Sequence, residues 1–300
     1  MARAAVIGAG LMGHGIAQVL ALGGLEVTVH DAAPDALAAV RDKIAANLAA
    51  TGDPRRPDIH LTDDLSTAVT HADWVFEAVP ENLELKRELF ARLDTLAAPE
   101  AILATNTSVL RVGDVAAAAQ RRGRILGTHW WNPPFLIPLV EVVQGPDTEP
   151  DTVTRTMALL TTLGKTPVHV RRDVAGFIGN RLQHALWREA FDLVDTGVCD
   201  AETVDTVIKS GFGLRLPVLG PIENADLVGL DLTLAIHEYV LPQLHPPSEP
   251  AAGLRERVAA GRLGMKTGAG YRTWTDHDAA ATRERVITRL TSTTPQKVTA

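Results

Sequence analysis

The sequence predicts an α/β domain built on a doubly wound, mainly parallel sheet, followed by an all-α domain. Three observations carry this. Residues 1–31 read as strand, glycine-rich turn, helix and second strand; short apolar runs then alternate with helical periodicity as far as about Asp173; from Gly176 onward the pattern is helical. The expected division is therefore 1–173 and 174–300.

The opening unit, AAVIGAGLMGHGIAQVLALGGLEVTVHD, has the layout of a Rossmann dinucleotide site. Gly8 permits the tight turn, Gly10 lets backbone approach a pyrophosphate, and Gly13 lets the helix pack on the strand. Leu11 and Met12 lie within that turn, and the helix N-terminus offers N–H groups to phosphate. Asp31, closing the second strand, is placed to accept hydrogen bonds from the adenosine ribose. Neither Ala32 nor Ala33 is basic, which favours NAD over NADP. A glycine-rich turn without a ligand is the bland alternative, opposed by the register of strand, helix, strand and aspartate. FAD is compatible with the motif alone.

Alternation continues with a helix over Pro34–Ala49, the loop TGDPRRPD, the buried strand of DWVFEAVPEN and a helix over Leu83–Leu96. The strand AILATN, a helix near Val109–Ala119, the strand RILGTH and the run IPLVEVV come next. Thr148-Glu149-Pro150-Asp151 reads as a capping-box-like helix start, the helix runs to about Leu163, and the strand TPVHVRR closes the domain. Helices are then expected near 177–196, 201–210, 224–242 and 250–260. The threonine-rich end, roughly the last 15 residues, is expected to fray.

Bulk properties narrow the function classes. The chain has 300 residues, 46% hydrophobic and 22% charged, enough for an ordinary globular core. A net charge of -7 and a pI near 5.8 provide no basic field for nucleic acid. No apolar run of about 18 residues is available to span a bilayer, and the N-terminus lacks a signal-peptide layout. Cys199, the single cysteine, forms neither an internal disulfide nor a cysteine metal site, which fits a cytoplasmic protein; no metal is expected.

The stretch THWWNPP concentrates the chemistry. Open α/β sheets bind ligands at the carboxyl ends of their strands, and His129 ends the strand RILGTH. A histidine there can remove a proton near neutral pH if a partner stabilises the imidazolium. Glu141, one carboxylate inside the apolar run PLVEVV, must be paired or exposed. A chain reversal at Asn132-Pro133-Pro134 would bring it beside His129. A packed turn histidine is the plain alternative.

GAGLMGHGIA, EAVPENLELK, ATNTS, THWWNPPFLIPLVEVV, DVAGFIGNR and LGMKTGAGY stand in the order of the corresponding segments of the L-3-hydroxyacyl-CoA dehydrogenase family, which the chain resembles over nearly its whole length. The resemblance implies NAD as hydride acceptor and a helical C-terminal domain that forms a homodimer. It implies His129 as general base and Glu141 as its orienting partner, with Ser108 and Asn180 holding the reacting oxygen. It places Glu81, Lys86, Asn106, Ser108 and Asn132 at the ribose and nicotinamide end of the cofactor, and Lys266 reaching toward it from the second domain. Plainer readings are a helix N-cap for Ser108, a helix-face polar for Asn180 and a surface lysine for Lys266.

Three departures bear on the substrate. Acyl-CoA members carry a long lysine-rich helical extension where this chain has only IAANLAATGDPRRPDIHLTDD, and two phenylalanines where it has Trp130 and Trp131. The run GFGLRLPVLGPIENADLVGLD is closer to relatives acting on free acids, such as the L-gulonate, L-carnitine and pyridine-carboxylate dehydrogenases. Arg215 within it could hold a carboxylate by its guanidinium fork, or be a loop arginine. The expected substrate is thus a small hydroxy acid or similar anion, with Trp130 and Trp131 narrowing its site or simply packing. Two alternatives stay open: a short-chain 3-hydroxyacyl-CoA dehydrogenase, and an NADH-binding structural or regulatory protein without turnover.

Overall fold

The structure, a computed structural model, describes residues 1–244 and 249–293. It divides into two compact units: Met1–Arg181 with the described residues from Thr288 to Thr293, and Leu182–Ile287.

In the first unit the strands are β1 (Arg3–Ile7), β2 (Glu26–His30), β3 (His60–Thr62), β4 (Trp74–Glu77), β5 (Ile102–Thr105), β6 (Ile125–Trp130), β7 (Leu139–Val143) and β8 (Thr166–Val170). The helices between them are α1 (Gly13–Leu22), α2 (Pro34–Ala38), α3 (Val40–Ala50), α4 (Leu65–Val69), α5 (Leu83–Leu96), α6 (Val112–Val115) and α7 (Pro150–Thr162). All strands join one sheet in the order β3-β2-β1-β4-β5-β6-β7-β8. Pairing is parallel except between β6 and β7. Because side chains alternate along a strand, the sheet feeds two cores. Val6, Val29, Phe76 and Trp130 pack with α1, α3 and α7 on one face, and Ile7, Val75, Leu103 and Val143 with α4, α5 and α6 on the other.

Several expectations shift by a local cause. The expected helix Pro34–Ala49 divides at Ala39 into α2 and α3. The strand β3 and the helix α4 were not anticipated; Asp64 caps α4, accepting from Ser66 N at 3.2 Å and Thr67 N at 3.0 Å. Only Val112–Val115 of the expected helix near Val109–Ala119 is α-helical, because Val109 N is drawn to Glu81 and Asp173 holds Val112 N and Gly113 N from across the fold. Thr148 does not cap α7. Its hydroxyl accepts from Gly145 N at 2.9 Å and donates to Ile125 O, leaving Glu149 at the N-cap without a side-chain bond.

The second unit holds most of α8 (Gly179–Asp195), then α9 (Ala201–Ser210), α10 (Pro221–Val228), α11 (Leu230–Val240), α12 (Ala252–Ala259) and most of α13 (Asp276–Thr293). The single helix expected over 224–242 is broken at Gly229, whose φ of 105° is left-handed. The expected fraying fails as far as Thr293: Val286, Ile287 and Leu290 recur at helical spacing within α13, and residues 294–300 lie outside the described residues. None of α8, α9, α10 and α11 contributes a buried residue, and Val218, Ile222, Leu227 and Tyr239 are 79%, 75%, 71% and 76% exposed.

Candidate active site

The glycine turn is built by steric demand. Gly8 has φ 106°, and a Cβ there would lie 2.6 Å from the Ala78 carbonyl oxygen, while a Cβ at Gly13 would overlap the Gly8 carbonyl. At Gly10 nothing stands within 4 Å of a Cβ position, so this backbone faces open space. The Asp31 carboxylate, at the end of β2, accepts from Ala9 N at 2.7 Å and Ala33 N at 2.8 Å. A cavity of about 670 Å3 is lined by Gly8, Gly10, Leu11, Met12, Asp31, Glu81, Asn106 and Ser108, so most of the expected cofactor residues share one space. An open backbone at a helix start, with a carboxylate beyond it, fits a dinucleotide.

Under the cavity wall lies a buried ion pair. Lys86 and Glu77 are both 0% exposed and meet at 2.6 Å. Glu77 also accepts from Thr105 Oγ1 at 2.6 Å and Val79 N at 2.8 Å. Burial pushes the Glu77 carboxyl up, against the pull of Lys86. Lys86 Nζ stands 3.4 Å from Glu81 Oε2, and Glu81 Oε1 accepts from Thr107 Oγ1, Ser108 N and Val109 N at 2.6, 2.8 and 3.1 Å. The expectation that Lys86 touches the cofactor is corrected: having no exposed surface, it reaches the cavity only through Glu81. Sequence reasoning missed Glu77, although one carboxylate in the apolar strand WVFE is the signal that singled out Glu141.

The antiparallel register of β6 and β7 sets His129 opposite Glu141, and His129 Nδ1 lies 2.7 Å from Glu141 Oε2. Both are buried, at 4% and 1% exposure. Glu141 Oε1 accepts from Ile178 N at 2.9 Å and Gly179 N at 3.0 Å, where α8 begins; Phe177, just before, takes the left-handed φ of 50°. Burial pushes the Glu141 carboxyl up, but the bonds from His129, Gly179 and Ile178 outweigh it and hold the carboxyl below its ordinary value. An ionised Glu141 makes Nδ1 the donor and leaves Nε2 of a neutral His129 as acceptor.

The surroundings fix the imidazole. Its ring packs between Trp131, at 5.1 Å between centroids, and Phe177, at 5.7 Å. A Cβ at Gly179 would run into the Trp131 ring. Asn180 Nδ2 donates to Ser108 O at 2.8 Å, and the Ser108 hydroxyl has no hydrogen bond among the described residues. Asn106 Oδ1 accepts from Trp130 N at 3.0 Å, tying the end of β5 to that of β6. Asn132 is exposed in the following turn.

Trp130 is corrected as a site residue. It is 2% exposed and packs edge-on to Phe76 at 6.2 Å, because neighbours on a strand point to opposite faces and His129 takes the other one. Arg215 and Lys266 belong to the second unit. Both are exposed, Arg215 closing the 3-10 turn Phe212–Leu214 and Lys266 lying between the bridged residues Gly264 and Ala269.

Comparison with known proteins accords with this geometry. Residues 3–174 match the family model described as 3-hydroxyacyl-CoA dehydrogenase, NAD binding domain, and residues 176–274 the one for its C-terminal domain. A 5-formyl-3-hydroxy-2-methylpyridine 4-carboxylate 5-dehydrogenase of Mesorhizobium japonicum is 36% identical over 287 residues, covering 92% of each chain. A probable 3-hydroxybutyryl-CoA dehydrogenase of Bacillus subtilis is 38% identical over 277 residues, covering 89% of this chain and 95% of its own. The crystal structure of a 5-formyl-3-hydroxy-2-methylpyridine 4-carboxylic acid 5-dehydrogenase, described as an NAD+ dependent dismutase, superposes with a TM-score of 0.91 at 35% identity over 97% of both chains.

Proposed function

The chain belongs to the 3-hydroxyacyl-CoA dehydrogenase family and is an NAD-dependent oxidoreductase acting on CH–OH groups; within that class we propose that it oxidises the 3-hydroxyl of a small hydroxy acid. The observation that carries the base is the His129–Glu141 contact at 2.7 Å, with Glu141 anchored by two backbone N–H groups. His129 Nε2 takes the hydroxyl proton, and Glu141 stabilises the imidazolium. Bound NAD supplies the hydride acceptor. The Ser108 hydroxyl and the Asn180 side chain hold the oxygen as it becomes a carbonyl. Gly8, Gly10, Leu11, Met12 and Gly13 shape the pyrophosphate turn, and Asp31 binds the adenosine ribose. Glu81, held by Lys86, acts with Asn106, Ser108 and Asn132 at the nicotinamide end. Lys266 is assigned to the cofactor and Arg215 to a substrate carboxylate.

Two features support a small substrate. Between α3 and β3 there is only a loop, with no helical extension to hold coenzyme A. Trp131 occupies space beside His129, which suits a small or ring-shaped anion like the pyridine carboxylate named for the Mesorhizobium relative. The Bacillus relative favours a second reading, a short-chain 3-hydroxyacyl-CoA substrate. NAD reduction measured with free 3-hydroxy acids beside 3-hydroxybutyryl-CoA separates them. The free acids are expected to be favoured by roughly tenfold or more in kcat/KM; preference for the ester overturns the small-acid reading. No turnover across a broad panel, despite tight NADH binding, would point to a non-catalytic protein, which the assembled His129, Glu141, Ser108 and Asn180 argue against.

The same reading includes a homodimer through the helical domain, whose helices α8 to α11 leave their apolar residues uncovered. The single Cys199 supports a cytoplasmic setting, and no helix among the described residues is long and apolar enough to cross a membrane.

A further inference from the structure

The turn Asn132–Pro138 between β6 and β7 contains three prolines, Pro133, Pro134 and Pro138, and therefore lacks three backbone donors. It folds partly on itself, Leu136 N and Ile137 N both donating to Pro133 O, at 3.1 and 3.0 Å. The carbonyls of Pro134 and Ile137 are served instead by a side chain from outside the turn. Lys165, just before β8, donates from Nζ to Pro134 O and, at 3.0 Å, to Ile137 O. No carboxylate among the described residues comes within ion-pair distance of it, and its other close contact is the Trp130 ring, 5.4 Å away. The charged groups that share its cavity of about 280 Å3 are Asp53 and Arg55, which pair with each other at 2.5 Å.

A half-buried ammonium with no counter-ion among the described residues costs free energy, and its partial burial holds this one down to about 8. The turn it ties is seated against the dinucleotide motif: a Cβ at Gly15, in α1, would lie 2.6 Å from Pro134 Cγ and 3.1 Å from its Cδ. Asn132 lies two positions before that proline.

We propose that Lys165 is a positioning residue, the clamp that seats the Asn132–Pro138 turn on α1 and thereby sets where Asn132 meets the nicotinamide half of NAD. The proposal rests on the assignment of Asn132 to that half. Lys165 touches neither cofactor nor substrate. It replaces the donors that the prolines removed, and an apolar side chain of similar length would leave two carbonyls unanswered and the turn free to lift from Gly15.

The test compares calorimetric affinities for NADH and for ADP-ribose, which lacks the nicotinamide. ADP-ribose reads the turn at Gly10 and Asp31; the ratio of the two affinities reads the nicotinamide half. In Lys165→Met the ratio is expected to fall roughly tenfold, with ADP-ribose affinity within about twofold of the unaltered protein. Lys165→Arg, which restores donors, is expected to recover most of it. An unchanged ratio in Lys165→Met overturns the clamp. Should that protein bind neither ligand, Lys165→Gln is read in its place, and an unchanged ratio there overturns it likewise. A loss in Asn132→Ala without a loss in Lys165→Met overturns the clamp and leaves the assignment of Asn132 standing; no loss in either overturns both.

Discussion

At the scale of single residues, the rule that a lone carboxylate in an apolar strand must be paired made Glu141 legible beside His129. The same rule applied to Glu77 would have exposed the pair with Lys86, whose direct cofactor contact was read from family likeness alone. Strand alternation likewise separates Trp130 from Trp131. We expect His129→Gln to lower kcat by about 10² to 10⁴ with NADH affinity nearly unchanged, in steady-state rates beside titration; near-normal turnover would remove the histidine from the chemistry. Trp131→Phe should alter the ratio of kcat/KM among substrates of different size, whereas Trp130→Phe should cost about 1 kcal/mol of stability and leave the ratios alone. Lys165 gives a signed pH prediction. Its ordinary value of 10.5 holds in the unfolded chain and about 8 in the folded one. Below about 8 the amine is protonated in both states and the burial cost is present in full. Between about 8 and 10.5 the unfolded chain binds a proton that the folded chain does not, so stability rises with pH. Urea denaturation at pH 7 and 9.5 should show the unaltered protein gaining on Lys165→Met; a flat or reversed difference counts against that burial cost.

At the scale of elements, α5 was read with both ends correct because Asn82 caps it, accepting from Leu85 N at 3.0 Å, within a strongly periodic sequence. The strand β3 and helix α4 were not read, since elements of three and five residues carry too little periodicity. The shortness of α6 depends on Asp173, far along the chain, and no local pattern encodes that. The start of α8 shows how an element supports the proposed base: the N–H groups of Ile178 and Gly179 hold Glu141, and Trp131 fills the space where a side chain at Gly179 would go. Gly179→Ala should therefore push the helix start off the carboxylate and lower kcat by roughly tenfold or more, with ADP-ribose binding intact. Unaltered turnover would mean that the Trp131 ring moves aside without effect.

For the whole molecule, the fold class and the alternation around β1, β2 and β4 to β8 were legible because a dinucleotide turn and regular alternation permit few topologies. The substrate was not legible, because the proposed contact at Arg215 falls in an exposed segment that no spacing or periodicity marks. The exposed apolar residues of the helical unit test the proposed homodimer: if that unit forms its interface, Val218→Asp combined with Leu227→Asp should lower the sedimentation coefficient of the parent to that of a monomer, and an unchanged coefficient counts against an interface there. Gly10 divides folding from function in another way. Its backbone is outside the left-handed region, and a Cβ there would have no atom within 4 Å among the described residues beyond its chain neighbours. Gly10→Val should accumulate in cells and melt like the parent while failing to bind NADH. A library sorted only for soluble expression would pass that variant unnoticed, so a position open to the cavity is one that quality control in the cell cannot see.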